Sequence, residues 1–402
     1  MLWRAAKRLG ATLTLITLFG ALIWIFYLRN LAPNKRGIHL LLDDGRNVWD
    51  TSLWYEHLQY ARQLVGDGGF VVELIRADDL DLERWQYFMD LCAALGITPI
   101  LRLATTFDRE NNWWNAPTAD SDGSYRTLAS DYATFVAGLE WTTDTHYVIV
   151  GNEPNHGNEW SGRPNPAAYA RFLIDVADAI HAADPQAIIL NAGFDPYTPN
   201  TGSQPFIDGM YYVDEESFLD DMIAAYPDVF SYVDVWASHS YPQGPFTLPP
   251  WVQAYGRDML NDAVNRQHAE PPADIYNRGI NGYEWELWKL STYGIHDLPV
   301  MITETGWRHS ESTDPNALDN TPLPDAVTVA QYVELAFYGN DGRYPQYPTS
   351  GWTPWADDTR VIGVALFALD GVTTEWGHTN WLSLDADGRV LDTYAMFDVL
   401  EP

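Results

Sequence analysis

Eight short apolar segments, separated by helical patterns, constrain the fold of this chain more than any other feature of its sequence. Each segment is four to nine residues long and rich in β-branched residues, and its apolar character is nearly continuous. Such segments are typical of parallel strands that are buried on both faces. They lie at 38–42, 70–75, 97–103, 147–150, 187–190, 233–237, 300–303 and 361–369.

Amphipathic patterns fill the intervals and predict helices. The clearest start is Asn165 before Pro166, an N-cap followed by a proline at the first helical position. Strands that alternate with helices in this number predict an α/β fold, a single (β/α)8 TIM barrel over residues 37–402. A doubly wound open sheet, which usually has fewer strands, is the alternative. The predicted helices span 52–65, 82–95, 125–139, 167–183, 215–226, 283–293 and 325–338.

The first 36 residues predict attachment to a membrane. Arg4, Lys7 and Arg8 precede an uncharged apolar stretch that is twenty residues long, and about 20 residues span a bilayer as a helix. No small-x-small cleavage motif follows Leu28, so we expect an uncleaved signal anchor at the cell membrane with an extracytoplasmic domain. The predicted parts are a cytoplasmic tail at 1–8, a single transmembrane helix at 9–28 and a juxtamembrane linker at 29–36.

The charge and the missing motifs exclude several classes of function. Beyond the six basic residues that precede Gly37, the chain carries 17 basic against 55 acidic residues. Such a surface repels phosphate backbones, so no nucleic-acid partner is expected. The absence of Gly-x-Ser-x-Gly, His-x-His and His-Glu-x-x-His motifs argues against a serine hydrolase and against a metallohydrolase. We predict no metal and no cofactor, and the sequence leaves protein partners open.

Two glutamates stand at the tips of predicted strands. The fourth strand ends with the motif GNEP at 151–154, and the seventh ends with TETGW at 303–307. The carboxyl ends of barrel strands meet at one mouth, where catalytic residues lie. For Glu153 or Glu304 alone, a solvated salt bridge at the rim is the simpler interpretation. Both together suit an acid/base and a nucleophile acting on one substrate.

These motifs resemble the strand 4 and strand 7 signatures of clan A glycoside hydrolases, the retaining (β/α)8 enzymes that include families 5 and 39. The resemblance implies that Glu153 is the general acid/base and that Glu304 is the nucleophile. It implies that Asn152 contacts the sugar 2-hydroxyl. His239 and Tyr241 resemble the His-x-Tyr pair of that clan, whose tyrosine donates a hydrogen bond to the nucleophile.

The resemblance extends to further positions and departs from the clan at two. Arg76, at the tip of strand 2, sits where family 5 places an arginine near the nucleophile. Phe367 stands where many members have a tryptophan beneath the sugar, and the segment 102–104 lacks the family 5 histidine. These departures leave the exact family and the sugar open. Candidate sugar platforms are the tryptophans on mouth-side loops, namely Trp113, Trp114, Trp307 and Trp376.

The sequence therefore predicts a retaining glycoside hydrolase that cleaves O-glycosidic bonds, with a β linkage favoured, in extracellular oligo- or polysaccharides. A non-catalytic carbohydrate-binding barrel is one alternative, although a binder has no need of two buried carboxyls. A transglycosylase is the other, and it uses the same glutamate pair with a sugar as acceptor. The linkage, endo or exo action and the oligomeric state stay open.

Overall fold

The structure is a computed structural model, and it describes residues 33–206, 208–256, 268–313 and 322–399. The predicted tail at 1–8 and membrane helix at 9–28 lie outside the described residues, as does the first half of the linker, at 29–32. Among the helices that the structure does describe, none combines the length and the apolar character needed to cross a membrane.

Eight parallel strands form the centre of the fold, and their order closes into a barrel. Hydrogen bonding places them in the order β5-β4-β3-β2-β1-β8-β7-β6. A parallel bridge between Leu190 and Val235 joins the two ends of this order. The predicted (β/α)8 barrel is confirmed, and the open doubly wound sheet is excluded. The strands are β1 Arg36–His39, β2 Phe70–Arg76, β3 Thr98–Ala104, β4 His146–Val150, β5 Ala187–Asn191, β6 Trp236–Ser238, β7 Val300–Thr305 and β8 Val361–Leu366.

Seven long helices of the described residues surround the barrel, and five of them begin at a polar cap. The Asn165 side chain accepts a hydrogen bond from the Ala168 amide at 3.1 Å, as its position before Pro166 predicts. Aspartates cap four other helices in the same way, and each satisfies an amide that has no partner within the helix. The helices are α1 Thr51–Val65, α2 Leu82–Leu95, α3 Arg126–Gly138, α4 Pro166–Ala183, α5 Glu215–Ala225, α6 Tyr283–Thr292 and α7 Ala326–Tyr338.

Three strands differ from the prediction by three residues at one end. The first run was predicted at 38–42, but β1 spans Arg36–His39. The apolar run at 233–237 forms strand only from Trp236, because Val229–Tyr232 closes a 3-10 turn that ends at Val233. The last run was predicted to extend to 369, but β8 ends at Leu366. Residues beyond it still bond to the barrel, since the Leu369 amide donates to the His39 carbonyl at 2.8 Å.

Apolar side chains form two separate layers on the two sides of the barrel wall. The inner cluster contains residues at equivalent positions on most of the strands, as expected for the filled interior of a small barrel. A larger cluster joins the outer strand faces to the helices. The interior layer fills the centre of the barrel, so a ligand cannot bind inside it at this level. Its members are Val72, Ile100, Ile149, Leu190, Val235, Ala237, Met301 and Ala365.

A buried ionic contact holds the loops that follow β1 and β8. His57 of α1 lies 2.7 Å through Nδ1 from Asp370 Oδ2, and its Nε2 donates to the Gly388 carbonyl at 2.8 Å. The other Asp370 oxygen accepts from the Leu41 amide at 2.7 Å. Burial lowers the pKa of His57, but the contact with Asp370 outweighs burial and the net pKa is raised. The pair therefore fixes loop 41–47 at the mouth.

Removing one member of this buried pair should destabilise the protein. We expect His57→Leu to lower the free energy of unfolding by about 3–5 kcal/mol, because Asp370 is left charged and buried. The control is His181→Leu, which breaks the half-exposed contact of His181 with Asp234 and should cost about 1 kcal/mol or less. Urea unfolding followed by circular dichroism measures both, and equal losses would contradict a special role for His57.

Candidate active site

Glu153 stands on a sharp backbone turn at the end of β4. Gly151 has a φ of 89° and Glu153 a φ of 31°, so both lie in the left-handed region. For a glutamate this conformation is strained, and it persists only where the surroundings hold it. The Glu153 amide donates to the Gly193 carbonyl at 3.1 Å. The turn is thus tied to the segment after β5 and presents the carboxyl to the mouth.

Glu304 reaches the same mouth through an irregularity in β7. Ile302 pairs with Val364, but Thr305 pairs with Leu366, so β7 uses one more residue than β8 over this stretch. Side chains alternate between the two faces of a regular strand, and an extra residue changes the direction of those that follow. Met301 belongs to the interior layer. The extra residue therefore turns Glu304, which regular alternation would direct outwards, into the mouth.

Arg102 and Tyr241 hold the buried Glu304 carboxylate. Arg102 Nη1 donates to Glu304 Oε1 at 2.5 Å and to Asn152 Oδ1 at 2.8 Å. The Tyr241 hydroxyl donates to Glu304 Oε2 at 3.1 Å. One guanidinium thus binds the carboxylate and orients the Asn152 amide, whose NH2 group also contacts the Glu159 carboxyl.

The two glutamates lie at a short distance from each other. One carboxylate oxygen of each, together with a His239 ring nitrogen, lies within 4.8 Å of the others. The three groups are close enough to ligate a cation, yet Arg102 already supplies a positive charge to Glu304. Retaining glycosidases hold their carboxyls about 5–5.5 Å apart and inverting enzymes about 6.5–9.5 Å apart. The observed spacing suits direct attack by one carboxylate on a substrate carbon.

The surroundings of the two carboxyls give them different protonation states. Burial raises the pKa of Glu304, but the charges of His239 and Arg102 and the Tyr241 hydrogen bond outweigh burial and lower the pKa to about 2. Burial also raises the pKa of Glu153, and although contact with His239 opposes this, the pKa stays above its ordinary value. Glu304 is therefore an anion near neutral pH, while Glu153 has the stronger tendency to keep a proton.

His239 contacts the acid that is easier to protonate. Its Nδ1 lies 2.8 Å from Glu153 Oε1 and 3.7 Å from Glu304 Oε2. Gly193 permits this position, because a Cβ there would lie 2.0 Å from His239 Cδ2. Burial lowers the pKa of His239, but the negative charges of the two glutamates raise it by a larger amount. The net pKa of His239 is therefore above its ordinary value.

Arg76 does not lie where the resemblance placed it. Its Nε is 3.1 Å from Asp43 Oδ1 and its Nη1 is 3.5 Å from Asp78 Oδ1. The position next to Glu304 belongs to Arg102 of β3. Arg76 pairs in register with Ala104, two residues beyond Arg102, so it lies higher at the rim. The signal for Arg102 was a lone basic residue inside an apolar strand.

The four tryptophans proposed as platforms occupy different environments. Trp114 and Trp376 line the cavity that contains the glutamates. Trp113 is half-buried outside that lining and packs closely on Gly162. Trp307 is buried in the core and donates to the Leu248 carbonyl at 2.8 Å. The expectation of a platform at Trp307 is therefore corrected, because its ring is covered by the protein.

The cavity at the mouth has a volume of about 330 Å³. Its walls combine apolar side chains with more acidic than basic groups, a composition that suits a polar, uncharged ligand. The main lining residues are Leu41, Asp44, Arg46, Leu74, Arg102, Trp114, Asn152, Glu153, Glu159, Asp195, Tyr241, Phe246, Glu304, Phe367 and Trp376.

Glu159 and His39 are polar residues of the site that sequence reasoning missed. Glu159 lies on the 3-10 turn Gly157–Glu159 and lines the cavity. Burial and the neighbouring charge of Glu153 raise the pKa of Glu159 to about 8. His39 is buried with Nε2 3.6 Å from Glu304 Oε1, and burial lowers its pKa to about 3. Neither residue belongs to a recognisable motif.

Solved structures share this barrel at low sequence identity. A family 39 glycoside hydrolase from Bacteroides cellulosilyticus WH2 is 12% identical with a TM-score of 0.54, over 92% of this chain and 63% of that one. A glucosidase from Croceicoccus marinus is 10% identical with a TM-score of 0.54, over 92% and 67%. A family 1 β-glucosidase from Exiguobacterium antarcticum B7 is 15% identical with a TM-score of 0.50, over 92% and 97%.

The likeness to these structures is one of fold. This chain spans 63% of the length of the family 39 enzyme. No protein-family profile and no curated protein matches the sequence. At such identities the barrel is shared, while the chemistry must be inferred from the side chains at its mouth.

Replacing Glu159 by glutamine should change how stability depends on pH. The folded chain holds the Glu159 proton up to about pH 8, whereas the ordinary pKa is 4.5. The unfolded chain releases this proton first, so wild-type stability falls as the pH rises between these values. We expect Glu159→Gln to gain about 1–3 kcal/mol over wild type between pH 5 and pH 8.5.

Chemical denaturation at both pH values measures this difference. The control is Glu110→Gln, which changes an exposed glutamate in the turn between two short antiparallel strands, Phe107–Asp108 and Trp113–Trp114. This variant should show no such gain. A Glu159→Gln curve parallel to that of wild type would contradict the assignment of a protonated carboxyl.

Proposed function

We propose that this chain is a retaining glycosidase in which Glu304 is the nucleophile and Glu153 is the general acid/base. The observation that carries the proposal is the pair itself, with carboxylate oxygens within 4.8 Å of each other in one cavity. The names of the structural neighbours, which include a glucosidase and a family 39 glycoside hydrolase, support the same class of chemistry.

The first step uses the difference in charge between the two carboxyls. Ionised Glu304 attacks the anomeric carbon while protonated Glu153 gives its proton to the leaving oxygen. The C–O bond to the leaving group breaks as the ester to Glu304 forms. Arg102 and Tyr241 keep Glu304 ionised and pointed at the substrate. The Asn152 amide, oriented by Arg102, donates towards a hydroxyl of the bound sugar.

The second step follows from the loss of one charge. Once Glu304 is esterified, its negative charge no longer raises the pKa of Glu153, and His239 continues to lower that pKa. Glu153, now a carboxylate, accepts a proton from water as the water attacks the anomeric carbon and releases Glu304. The configuration of the sugar is retained because both displacements invert it.

The two alternatives make different demands on the site. A carbohydrate-binding barrel gains nothing from a glutamate whose pKa is held near 2 beside one whose pKa is raised. Such pairs are the pattern from which acid and nucleophile roles are assigned. A transglycosylase uses the same residues and differs only in the acceptor, so hydrolysis is the simpler proposal.

Substitution of each glutamate should affect different steps. We expect wild type to cleave β-configured aryl glycosides, and Glu153→Ala to lower kcat/KM about 10²–10⁴-fold for poor leaving groups. The loss should shrink for a dinitrophenyl leaving group, which needs no proton. Glu304→Ala should lose at least as much with every leaving group. The control is Glu110→Gln, which should be unchanged.

Azide added to these variants distinguishes their roles. In Glu153→Ala it should replace water and yield a glycosyl azide of retained configuration, whereas in Glu304→Ala it should yield one of inverted configuration. Product configuration is read by NMR. Retained activity in both variants, or azide products of the same configuration, would refute the assignment.

We also propose that residues 9–28 anchor the domain at 37–402 outside the cell membrane. The support is the length and apolar character of that stretch, which follows Arg4, Lys7 and Arg8. We expect the full chain to stay in the membrane pellet after alkaline carbonate washing, and a chain lacking 1–32, which keeps all of β1, to be released. Protease added to intact cells should digest the domain. A soluble full chain would contradict the anchor, and protection from protease would contradict its direction.

A further inference from the structure

Asp44 is a buried acid in the loop after β1 that keeps one oxygen without a protein partner. Its side chain is 3% exposed and lines the cavity. Oδ1 accepts from the Arg46 and Asn47 amides at 2.9 and 2.6 Å, which closes the turn. Within the part of the chain that the structure describes, Oδ2 makes no hydrogen bond. The turn therefore requires only one of the two oxygens.

The indole of Trp376, in the loop after β8, presents the complementary group. Its Nε1 is also buried and without a hydrogen-bond partner among the described residues. The ring lines the cavity, and its edge-to-face contact with Phe367, at 5.2 Å between centroids, fixes its orientation. Burial raises the pKa of Asp44, while a contact with the indole NH is among the causes that lower it. The NH therefore faces the carboxyl, although the two groups do not reach the distance and angle of a full hydrogen bond.

An unpartnered acceptor and an unpartnered donor on one wall define the chemistry of a ligand. Each costs free energy while buried without a hydrogen bond. A hydroxyl is both a donor and an acceptor, so a single hydroxyl satisfies Asp44 Oδ2 and Trp376 Nε1 together. A carboxylate cannot donate to Asp44 and would be repelled by it, and the neighbouring Arg46 is already paired with Glu375, 3.7 Å away.

Asp44 and Trp376 form one wall of the cavity, and this wall lies on one side of the bond that is cleaved. Asp44 follows β1 and Trp376 follows β8, whereas Glu153 follows β4 on the opposite side of the ring of eight strands. In the proposed function Glu153 stands at the leaving oxygen. The wall therefore contacts the sugar that becomes bonded to Glu304.

We propose that Asp44 and Trp376 together bind one hydroxyl of that sugar and thereby select neutral glycosides over uronic acids. This inference rests on the proposed glycosidase function. It gives Trp376 the role of a hydrogen-bond donor at the wall, and it gives Asp44 a role in specificity in addition to the turn that it closes.

The test compares variants that keep the fold of the wall. Asp44→Asn retains an oxygen for the two amides and replaces Oδ2 by a donor, while Trp376→Phe keeps a ring and removes the NH. Each is assayed on an aryl β-glycoside of a neutral pyranose, on its monodeoxy analogues and on the corresponding uronide. Circular dichroism melting establishes that both variants are folded.

We expect Asp44→Asn to lower kcat/KM about 10- to 100-fold on the parent glycoside, because a charge-assisted hydrogen bond to the sugar is lost. On one deoxy analogue, that lacking the bound hydroxyl, wild type and Asp44→Asn should be equal. Trp376→Phe should show a smaller loss that vanishes on the same analogue. Wild type should leave the uronide uncleaved. An equal loss on all analogues, or no loss, would overturn the proposal.

Calorimetric titration of the neutral monosaccharide separates this inference from the proposed function. If wild type hydrolyses no glycoside yet binds the sugar, and Asp44→Asn abolishes binding, the wall is supported and the glycosidase is refuted. If hydrolysis depends on Glu304 but neither Asp44 nor Trp376 discriminates among the analogues, only the wall is refuted.

Discussion

The contact between Arg102 and Glu304 is the interaction on which the site depends. A carboxylate taken out of water into this mouth tends to gain a proton, and a neutral Glu304 could not act as the nucleophile that we propose. The charges of His239 and Arg102 together prevent this, and Arg102, 2.5 Å from Glu304, also orients Asn152. Because Glu304 stays charged, the nearby Glu153 keeps its proton more readily. Arg102 thus contributes both to the charge of Glu304 and to the position of Asn152, and exchange of this arginine for another cation would lose the shared geometry.

The barrel supplies this geometry through features that break its regularity. Glu153 lies at a positive φ, Glu304 follows an extra residue in β7, and Gly193 leaves room for the His239 ring. Each departure costs stability, which the surrounding core must compensate. The buried contact of His57 with Asp370 also shapes the mouth, because it holds the loop that carries Asp44 against the end of β8. Strain and buried charge are concentrated where the strands end.

Sequence reasoning reached the strands, the helices and the two glutamates because each has a local signature. Apolar runs reveal strands buried on both faces, and a glutamate at the end of such a run must lie at the mouth. Which arginine meets Glu304 is decided by register across strands. Leu74 pairs with Arg102 and Arg76 with Ala104, so one layer of the barrel separates the two candidates. The direction of Glu304 depends on the irregularity in β7, which no pattern in TETGW reveals. Glu159 is visible only once the loops are folded. Asp44 follows the first strand and could be expected to reach the mouth, but from sequence a solvated acid is the simpler interpretation.

The tryptophans illustrate why position in a mouth-side loop does not determine a role. Trp307 and Trp376 both follow barrel strands and are alike in sequence context, but their indole NH groups differ in what they reach. In Trp307 the NH donates a hydrogen bond to the Leu248 carbonyl, and the ring is part of the core. In Trp376 the NH lies in the cavity wall without a protein acceptor among the described residues. A buried NH that the protein itself satisfies contributes to folding, whereas one left beside an unpartnered carboxylate oxygen is available to a ligand. The hydrogen bonds of the two NH groups therefore distinguish Trp307, which is structural, from Trp376, for which we propose a role in binding.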